Sequence, residues 1–336
     1  MNAAVLNLPD VLTGIAPELI GLALPDEHLA DCARCPMAGQ PFHPSIRCCT
    51  YEPALPNFLA GRALSRGDLG SERVRARIER GIGLGPLGIQ PDPAWSADYI
   101  ARRETDFGRN ADWRCPYWVE GPLSCSIWPD RNAVCRSWHC RHTEGVRGHR
   151  LWSAVRKLAA GAEQRVSAWC AEQEACPAPG SGAEAWVAYF VATARHAEQA
   201  DAQALRDADV EALREAVRVA FAALRDAPPE VLGVEVKQVT PVGDEVELVG
   251  YTPWYPVRFP TWVFALLAAF DGERTRDEAV QLALRTDARV DPAWVRTLWD
   301  VGILRAREDG DDAPWGLGGP DLSPEQLQSR YDRSDR

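Results

Sequence analysis

Cysteine is concentrated in two short stretches of this 336-residue chain, and this spacing limits what the chain can fold into. The downstream stretch, residues 114 to 140, and the upstream stretch, residues 32 to 49, hold eight of the ten cysteines. These eight are Cys32, Cys35, Cys48, Cys49, Cys115, Cys125, Cys135 and Cys140. Thiols so close in sequence are typical of disulfides, of a redox pair or of bound metal.

The surrounding sequence favours metal over the other two alternatives. The first thirty residues contain no Lys or Arg and no secretory signal pattern, so we expect a cytoplasmic chain, where disulfides are rare. No apolar run of about 18 residues occurs, so we expect no membrane span. A redox pair at Cys32 and Cys35 calls for a helix after the second cysteine. The sequence continues instead with PMAG, which does not favour a helix.

The order of the cysteines resembles a known family. CxxC, then CC, then C…CSIW…R…CRSWHC is similar to the YkgJ-type cysteine-cluster proteins, described as zinc- or iron-chelating domains. The resemblance covers residues 30 to 145 and implies that all eight cysteines are metal ligands. Ile127, Arg131 and Arg136 also match, whereas Trp128 and Asn132 depart from the family pattern. The family is defined by its cysteines, so the resemblance implies metal binding but no particular reaction.

The chemistry of the residues agrees with this interpretation. Thiolates are soft ligands that suit zinc or an iron-sulfur cluster, and the spacing does not separate these two cofactors. Guanidinium groups close to the cysteines would lower thiol pKa values and offset thiolate charge. The arginines within four residues of a cysteine are Arg34, Arg47, Arg114, Arg131, Arg136 and Arg141. His43, His139 and His142 are near enough in sequence to substitute for a cysteine.

Hydrophobic periodicity and breaks predict an α+β chain with several parts. We expect a loop-rich cysteine/metal domain, a central helical segment and a small C-terminal winged-helix-like domain. The predicted boundaries are a lead-in at 1–31, the metal domain at 32–145, helices at 146–228, the C-terminal domain at 229–307 and a disordered tail at 308–336.

Two shorter patterns lie between the cysteine groups. SERVRARIERG predicts a helix capped by Ser71 and closed by Gly81. The glycines of GIGLGPLG have G-x-G-x-x-G spacing, but they follow a helix and include Pro86. A dinucleotide fingerprint must instead leave a strand and open a helix, so this run predicts a structured loop.

The C-terminal part resembles a winged-helix or PqqD-like module. VEVKQVTPVGDEVELVGY predicts two strands around a Gly-Asp turn, and three short helices and a strand follow. The resemblance implies that a peptide adds as a strand to the sheet edge, with DNA binding or a structural role as alternatives. The net charge of −11 disfavours nucleic acid, so we expect a protein or peptide partner.

These patterns leave two functions open. The first is a metal-binding protein with a partner-binding C-terminal module. The alternative is an iron-sulfur enzyme, an oxidoreductase or a protein-modifying enzyme similar to the flagellin lysine methylases, which carry a related cysteine constellation. The sequence offers no paired catalytic carboxylates and no Ser/His/Asp pattern for such an enzyme.

Overall fold

The computed structural model describes residues 6, 8–25, 35, 39, 42–121, 124–139, 142–252 and 256–306. These residues form helices and antiparallel sheets, which confirms the α+β class. Cys32, Arg34, Cys140 and Arg141 lie outside the described residues, as does the tail that was predicted to be disordered.

The elements follow one another in a mixed order. The helices are α1 Asp10–Ile15, α2 Glu18–Gly21, α3 Asn57–Ser65, α4 Leu69–Glu79, α5 Pro93–Asp106, α6 Ala133–Arg136, α7 Gly145–Gln173, α8 Ala183–Gln199, α9 Ala208–Ala223, α10 Val263–Ala269, α11 Arg276–Thr286 and α12 Trp294–Asp300. The strands are β1 Leu55–Pro56, β2 Leu84–Gly85, β3 Gly88–Ile89, β4 Trp118–Val119, β5 Ser124–Cys125, β6 Val231–Val234, β7 Gln238–Val242, β8 Glu245–Val249, β9 Val257–Pro260, β10 Asp271–Thr275 and β11 Leu304–Arg305.

One hydrophobic core, the main core, joins the N-terminal helices, part of the cysteine segments and the three helices α7 to α9. The long helix α7 contributes a buried stripe that includes Leu151, Val155, Leu158 and Val166. This spacing of three and four residues is typical of a helix that buries one apolar face. The helix α7 therefore forms the base against which the cysteine segments pack.

Two local predictions can be compared with the structure. The predicted cap of α4 is wrong, because the helix begins two residues before Ser71. Asp68 is the N-cap, and its Oδ1 accepts the backbone N–H of Ser71 at 3.1 Å. An aspartate at this position satisfies a backbone donor of the first turn as well as a serine does.

The glycine run GIGLGPLG forms strands and a turn, because Gly85 and Gly88 pair across β2 and β3, and it opens no helix.

The C-terminal unit has its own core, which includes Leu248, Phe259, Leu266 and Leu298. The strands β7, β8 and β9 form an antiparallel sheet, and the predicted Gly-Asp turn joins β7 to β8. The strands β10, β6 and β11 form a second antiparallel sheet.

The C-terminal unit contacts the beginning of α7 through a buried arginine. Arg147 donates to the backbone carbonyl of Asp226 at 3.0 Å and to the Asp300 carboxylate at 2.6 Å. A guanidinium that bonds to groups from two separate segments fixes their relative position.

Gly61 permits the close approach of α3 to α8, and its replacement by Ala is expected to destabilise the fold. A Cβ atom at this position would overlap the backbone carbonyl oxygen of Phe190. Because backbone atoms cannot move aside cheaply, we expect a loss of about 1–3 kcal/mol in the free energy of unfolding, measured with denaturant. Gly21→Ala is the matched control, since a Cβ there meets nothing within 4 Å. Equal stability of the two variants would contradict the packing described.

Candidate metal centre

A tight turn precedes the paired cysteines, residues 48–49. The Nδ1 atom of His43 accepts hydrogen bonds from the backbone N–H groups of Ser45 and Ile46, at 3.2 and 3.4 Å. The backbone carbonyl of His43 also accepts from the N–H of Arg47 at 3.0 Å, which closes the turn. Because Nδ1 is an acceptor here, the neutral ring carries its proton on Nε2. This tautomer does not support a ligand role for His43.

The turn is held against the end of α5. The N–H of His43 donates to the carbonyl oxygen of Gly108 at 2.6 Å. The N–H of Gly108 in turn donates to the buried Thr50 Oγ1 at 2.7 Å. The paired cysteines lie between these two anchors, so the backbone fixes them from both sides.

Backbone hydrogen bonds bring the second cysteine group to the first. The N–H of Cys115 donates to the carbonyl oxygen of Cys49 at 2.8 Å, and the carbonyl of Cys115 accepts from the N–H of Trp118 at 3.0 Å. Trp118 lies opposite Cys125 in the β4–β5 pair. Cys49, Cys115 and Cys125 are therefore gathered in one region.

Cys135 lies in the one-turn helix α6, which two side chains hold in place. The Oδ1 atom of Asn132 accepts the N–H of Cys135 at 3.1 Å, and its Nδ2 donates to the Ala54 carbonyl at 2.9 Å. Glu163 of α7 accepts the N–H of Ala133 at 3.0 Å. The segment that carries Cys135 is thus attached both to α7 and to the chain just before β1.

Burial raises the pKa of the thiols in this region. Desolvation raises the pKa of Cys115 well above its ordinary value, and negative charge on Cys125 and Cys135 raises it further. Desolvation followed by the charge of Cys125 raises the pKa of Cys135 to about 12. These thiols therefore stay protonated at neutral pH unless a cation binds. Raised pKa values disfavour a nucleophilic role for these thiols, because thiol catalysis requires a lowered pKa.

The two adjacent cysteines contact different hydrophobic clusters. Cys49 packs against the main core together with Cys125. Cys48 and Cys35 pack against a second cluster, here called the aromatic cluster. The buried members of the aromatic cluster are Phe42, Tyr99, Phe107 and Trp113. These four cysteines therefore form two groups according to the hydrophobic cluster that each contacts, and these groups differ from the two groups in the sequence.

The described cysteines do not by themselves form a complete metal site. Across the described ranges, no three or more His, Cys, Asp or Glu side chains are placed so that they could hold a metal ion. Two of the eight proposed ligands, Cys32 and Cys140, lie outside those ranges. The cysteines that carry free thiols include Cys115, Cys135, Cys170 and Cys176.

Arg47 differs from the other described arginines near the cysteines. Arg114 is exposed and pairs with Glu120 at 2.9 Å. Arg131 lies over a tryptophan ring and donates to a backbone carbonyl, and Arg136 donates to several backbone carbonyls. The side chain of Arg47 is buried, with 5% of the residue exposed, and its Nε and Nη1 atoms have no hydrogen-bond partner in the part of the chain that is described.

Three buried indole N–H groups near the cysteines also lack an acceptor among the described residues. Trp118 lies opposite Cys125, and Trp95 and Trp138 pack against the aromatic cluster that Cys48 contacts. Buried donors are almost always satisfied in folded proteins. Metal-bound thiolate sulfur is one kind of acceptor that would satisfy such donors.

Two of the histidines named as substitute ligands lie just before α7. His139 packs on Trp152 with ring centroids 4.4 Å apart. His142 packs against His149 and Tyr251, at 5.1 and 6.0 Å between centroids. Burial is the main cause that lowers the pKa of His142 to about 2 and that of His149 to about 4. Both rings are therefore neutral at pH 7.

Two buried glutamates near the cysteine segments were missed by reasoning from the sequence. Glu52 pairs with the buried Arg77 of α4. Glu163 lies within the apolar stripe of α7, between Ala159 and Val166. A charged residue at a core position of a helix was a signal that could have identified Glu163, whereas no local pattern marks Glu52.

Comparisons with known proteins place the chain in no group. No family model matches it, and searches of curated proteins and of solved structures returned no match either. Within the described residues, no helix has the length and apolar character needed to cross a membrane.

Proposed function

We propose that the chain is a metal-binding cysteine-cluster protein of the YkgJ type, which holds zinc or an iron-sulfur cluster. The proposed ligands are Cys32, Cys35, Cys48, Cys49, Cys115, Cys125, Cys135 and Cys140. The observation that carries this proposal is the set of buried donors without acceptors in the described structure, from Arg47 and three indoles, near the two cysteine groups. A metal converts these thiols to thiolates, whose sulfur atoms accept hydrogen bonds and whose charge offsets a buried guanidinium.

The packing supports a division of the ligands between two centres. Cys49, Cys115 and Cys125 share the main core, and the charge of Cys125 raises the pKa of Cys135. We propose that these four contribute to one centre, which the metal would have to draw together on binding, since no three of them are placed to hold an ion in the described structure. Cys35 and Cys48, which contact the aromatic cluster, belong to the other. A closed site with four thiolates stabilises a loop-rich fold and needs no catalytic role.

Removal of the metal is expected to destabilise the protein strongly. We expect protein purified without oxygen to contain about two zinc ions per chain, or about four irons with a brown colour. A chelator should lower the melting temperature, because ligand loops that cannot fold without the metal would open. The measurement is elemental analysis with an absorption spectrum and thermal unfolding before and after chelation.

Serine variants test the ligand assignment. Cys115→Ser is expected to lower the metal content of its centre, whereas Cys176→Ser, at an exposed cysteine outside the eight, should not. Cys48→Ser should remove metal independently of Cys115→Ser if there are two centres. A wild-type protein that holds neither zinc nor iron would contradict the proposal. Iron together with an open coordination position would instead favour the iron-sulfur enzyme.

For residues 229–307 we propose a winged-helix or PqqD-like module that binds a peptide or a protein segment. The strand β7 forms one edge of its sheet, and Val239 in this strand is 48% exposed. An edge strand offers unpaired backbone groups to which another strand can add. Peptides selected from a random displayed library are expected to protect the amides of Gln238–Val242 from hydrogen exchange. Protection confined to helices would contradict strand addition at this edge.

A further inference from the structure

The turn between β7 and β8 determines which backbone groups of β7 face away from the sheet. Its loop is Gly243–Asp244, and Gly243 has a φ angle of +63°. A glycine with positive φ at the first loop position is typical of a type II′ turn, whose flanking residues are hydrogen-bonded to each other. Val242 and Glu245 flank this loop. Because hydrogen-bonded pairs alternate along an antiparallel ladder, the next residue, Pro241, directs its backbone N and C=O away from β8.

The same alternation makes Val239 the residue that can donate at the free edge of β7. Val239 lies two residues before Pro241, so its N–H and C=O also point away from β8. Val239 is 48% exposed, and Pro241 is exposed as well. The N–H of Lys237 is used inside the sheet, since it donates to the Val249 carbonyl at 2.9 Å. In the described part of the chain, β7 pairs only with β8, and the edge offers the Val239 N–H and the carbonyls of Val239 and Pro241.

The positions of the prolines in this sheet agree with that assignment. The other edge strand, β9, contains Pro260, which lies opposite Glu245. Because Glu245 is hydrogen-bonded to β7, its pair with Pro260 is not hydrogen-bonded, and the Pro260 nitrogen also faces outward. The central strand β8 contains no proline. Proline is confined to sheet edges in general, since it cannot donate to the ladder.

Pro241 impairs pairing with a second copy of β7 more than pairing with an unrelated strand. An added antiparallel peptide can make both hydrogen bonds at Val239 and donate to the Pro241 carbonyl, and it loses only the bond from residue 241. In a symmetric pair of two β7 strands centred on Thr240, the Val239 N–H of each copy donates to the Pro241 carbonyl of the other. The return bond to the Val239 carbonyl is missing in both directions, because each copy contributes a proline.

We propose that Pro241 restricts the β7 edge to strands of other proteins by preventing β7 from pairing with a second copy of this chain. Charged side chains are a common means of protecting an edge strand, but Gln238–Val242 contains none. The missing N–H of Pro241 takes the place of such a charge. This inference rests on the proposed function of the same edge and names the residue that selects its partner.

The test compares self-association of Pro241→Ala and Thr240→Val with that of the wild type, in the full-length chain, by sedimentation equilibrium. Pro241→Ala adds an outward N–H, so a dimer centred on Thr240 gains a hydrogen bond from each copy. We expect self-association to become about 10- to 100-fold tighter. Hydrogen exchange should show protection of Gln238–Val242 as the dimer forms. Thr240→Val is the matched control, because it raises strand propensity but its N–H faces β8, and it should leave self-association unchanged.

A second change in the Pro241→Ala background separates the new donor from other effects of the substitution. Adding Val239→Pro removes the other outward N–H without the loss of a ladder bond. Self-association of the double variant should return to the wild-type level, with circular dichroism as the check on folding. If this variant does not fold, Val239→Lys in the same background places a charge on the edge and should have the same effect.

Several results would overturn the inference. One is unchanged self-association of a folded Pro241→Ala variant, and another is an equal increase in Thr240→Val. Dimers that protect amides outside β7, or a wild type that already dimerises through β7, would contradict it as well. These measurements use no peptide, so they can fail while a selected peptide still protects β7. Failure of every peptide to protect β7 would instead remove the proposed peptide-binding function and leave the self-pairing result unaffected.

Discussion

Arg77→Met is expected to lower the free energy of unfolding by about 3–5 kcal/mol, because it breaks a buried ion pair. Arg77 is 2% exposed, and its partner Glu52 is 7% exposed. Arg77 also donates to the carbonyl oxygen of Gln90 at 3.0 Å. Burial raises the pKa of Glu52, and the charge of Arg77 is the first of the effects that oppose this rise. Without Arg77, the buried carboxylate must either stay ionised without its cation or take up a proton.

Denaturant unfolding of three variants separates the ion pair from other effects. Arg75→Met on the same helix removes an exposed arginine that pairs with the exposed Glu184, and should change stability by less than about 1 kcal/mol. The double variant Arg77→Met, Glu52→Leu removes both buried charges and should recover most of the loss. If the double variant were as unstable as Arg77→Met alone, the uncompensated carboxylate would not be the cause.

The position of this pair links stability to the cysteines. Glu52 follows Cys49 closely in the chain, and Tyr117 follows Cys115; burial raises the pKa of Tyr117, and the charge of the nearby Arg77 opposes this rise. Arg77 thus lies close to the two segments that are joined by the hydrogen bond from the N–H of Cys115 to the carbonyl of Cys49. Loss of Arg77 should therefore weaken metal binding as well as the fold, because the two cysteine segments would be held less firmly.

Much of the secondary structure could be predicted from local patterns. The helices α7, α8 and α9 carry apolar stripes, and Asp207 caps α9 through a bond from the N–H of Val210. The Gly243–Asp244 turn fixes the register of β7 against β8. The two-residue pairs β4–β5 and β1–β3 have no such signal, since strands so short depend on contacts from distant segments.

The site could be predicted less completely than the helices. The sequence identifies the cysteines, but it groups them by position, whereas packing separates Cys48 from Cys49. The sequence marks six arginines near the cysteines, but it does not show that Arg47, Arg131 and Arg136 are buried whereas Arg114 is exposed. Side-chain environment depends on which segments meet in three dimensions, and spacing along the chain does not contain that information.

The wild type is expected to lose about 3 kcal/mol in the free energy of unfolding as pH rises from about 4.5 to 7, because of Glu163. The variant Glu163→Gln is expected to abolish this loss. Burial raises the pKa of Glu163 from 4.5 to about 7. Below about pH 4.5 the carboxyl is protonated in the folded and unfolded states alike, so it does not affect stability there. Between that pH and 7 the unfolded chain loses the proton while the folded chain keeps it, and the folded state becomes less stable.

The structural reason is the incomplete pairing of this carboxyl. One oxygen of Glu163, Oε2, accepts the N–H of Ala133, while Oε1 has no hydrogen-bond partner among the described residues. An ionised carboxylate would place its charge on this unsolvated atom. The amide of Gln can keep the bond to Ala133 without ionising, so the variant should be more stable than the wild type at pH 8 and similar at pH 4.

The measurement is denaturant unfolding of the metal-free protein at several pH values, reported as the difference between variant and wild type. The difference is needed because the half-buried His149, whose pKa is lowered to about 4, changes stability in the opposite direction over an overlapping pH range. In the unfolded chain this histidine takes up a proton as pH falls below about 6.5, whereas in the folded protein it stays neutral until a lower pH. Acid therefore destabilises the folded state through this group. Glu172→Gln, at an exposed position of α7, is the control and should follow the wild type. Parallel pH profiles for Glu163→Gln and the wild type would mean that Glu163 is ionised in the folded protein, and that nearby positive charge such as Arg136 compensates it.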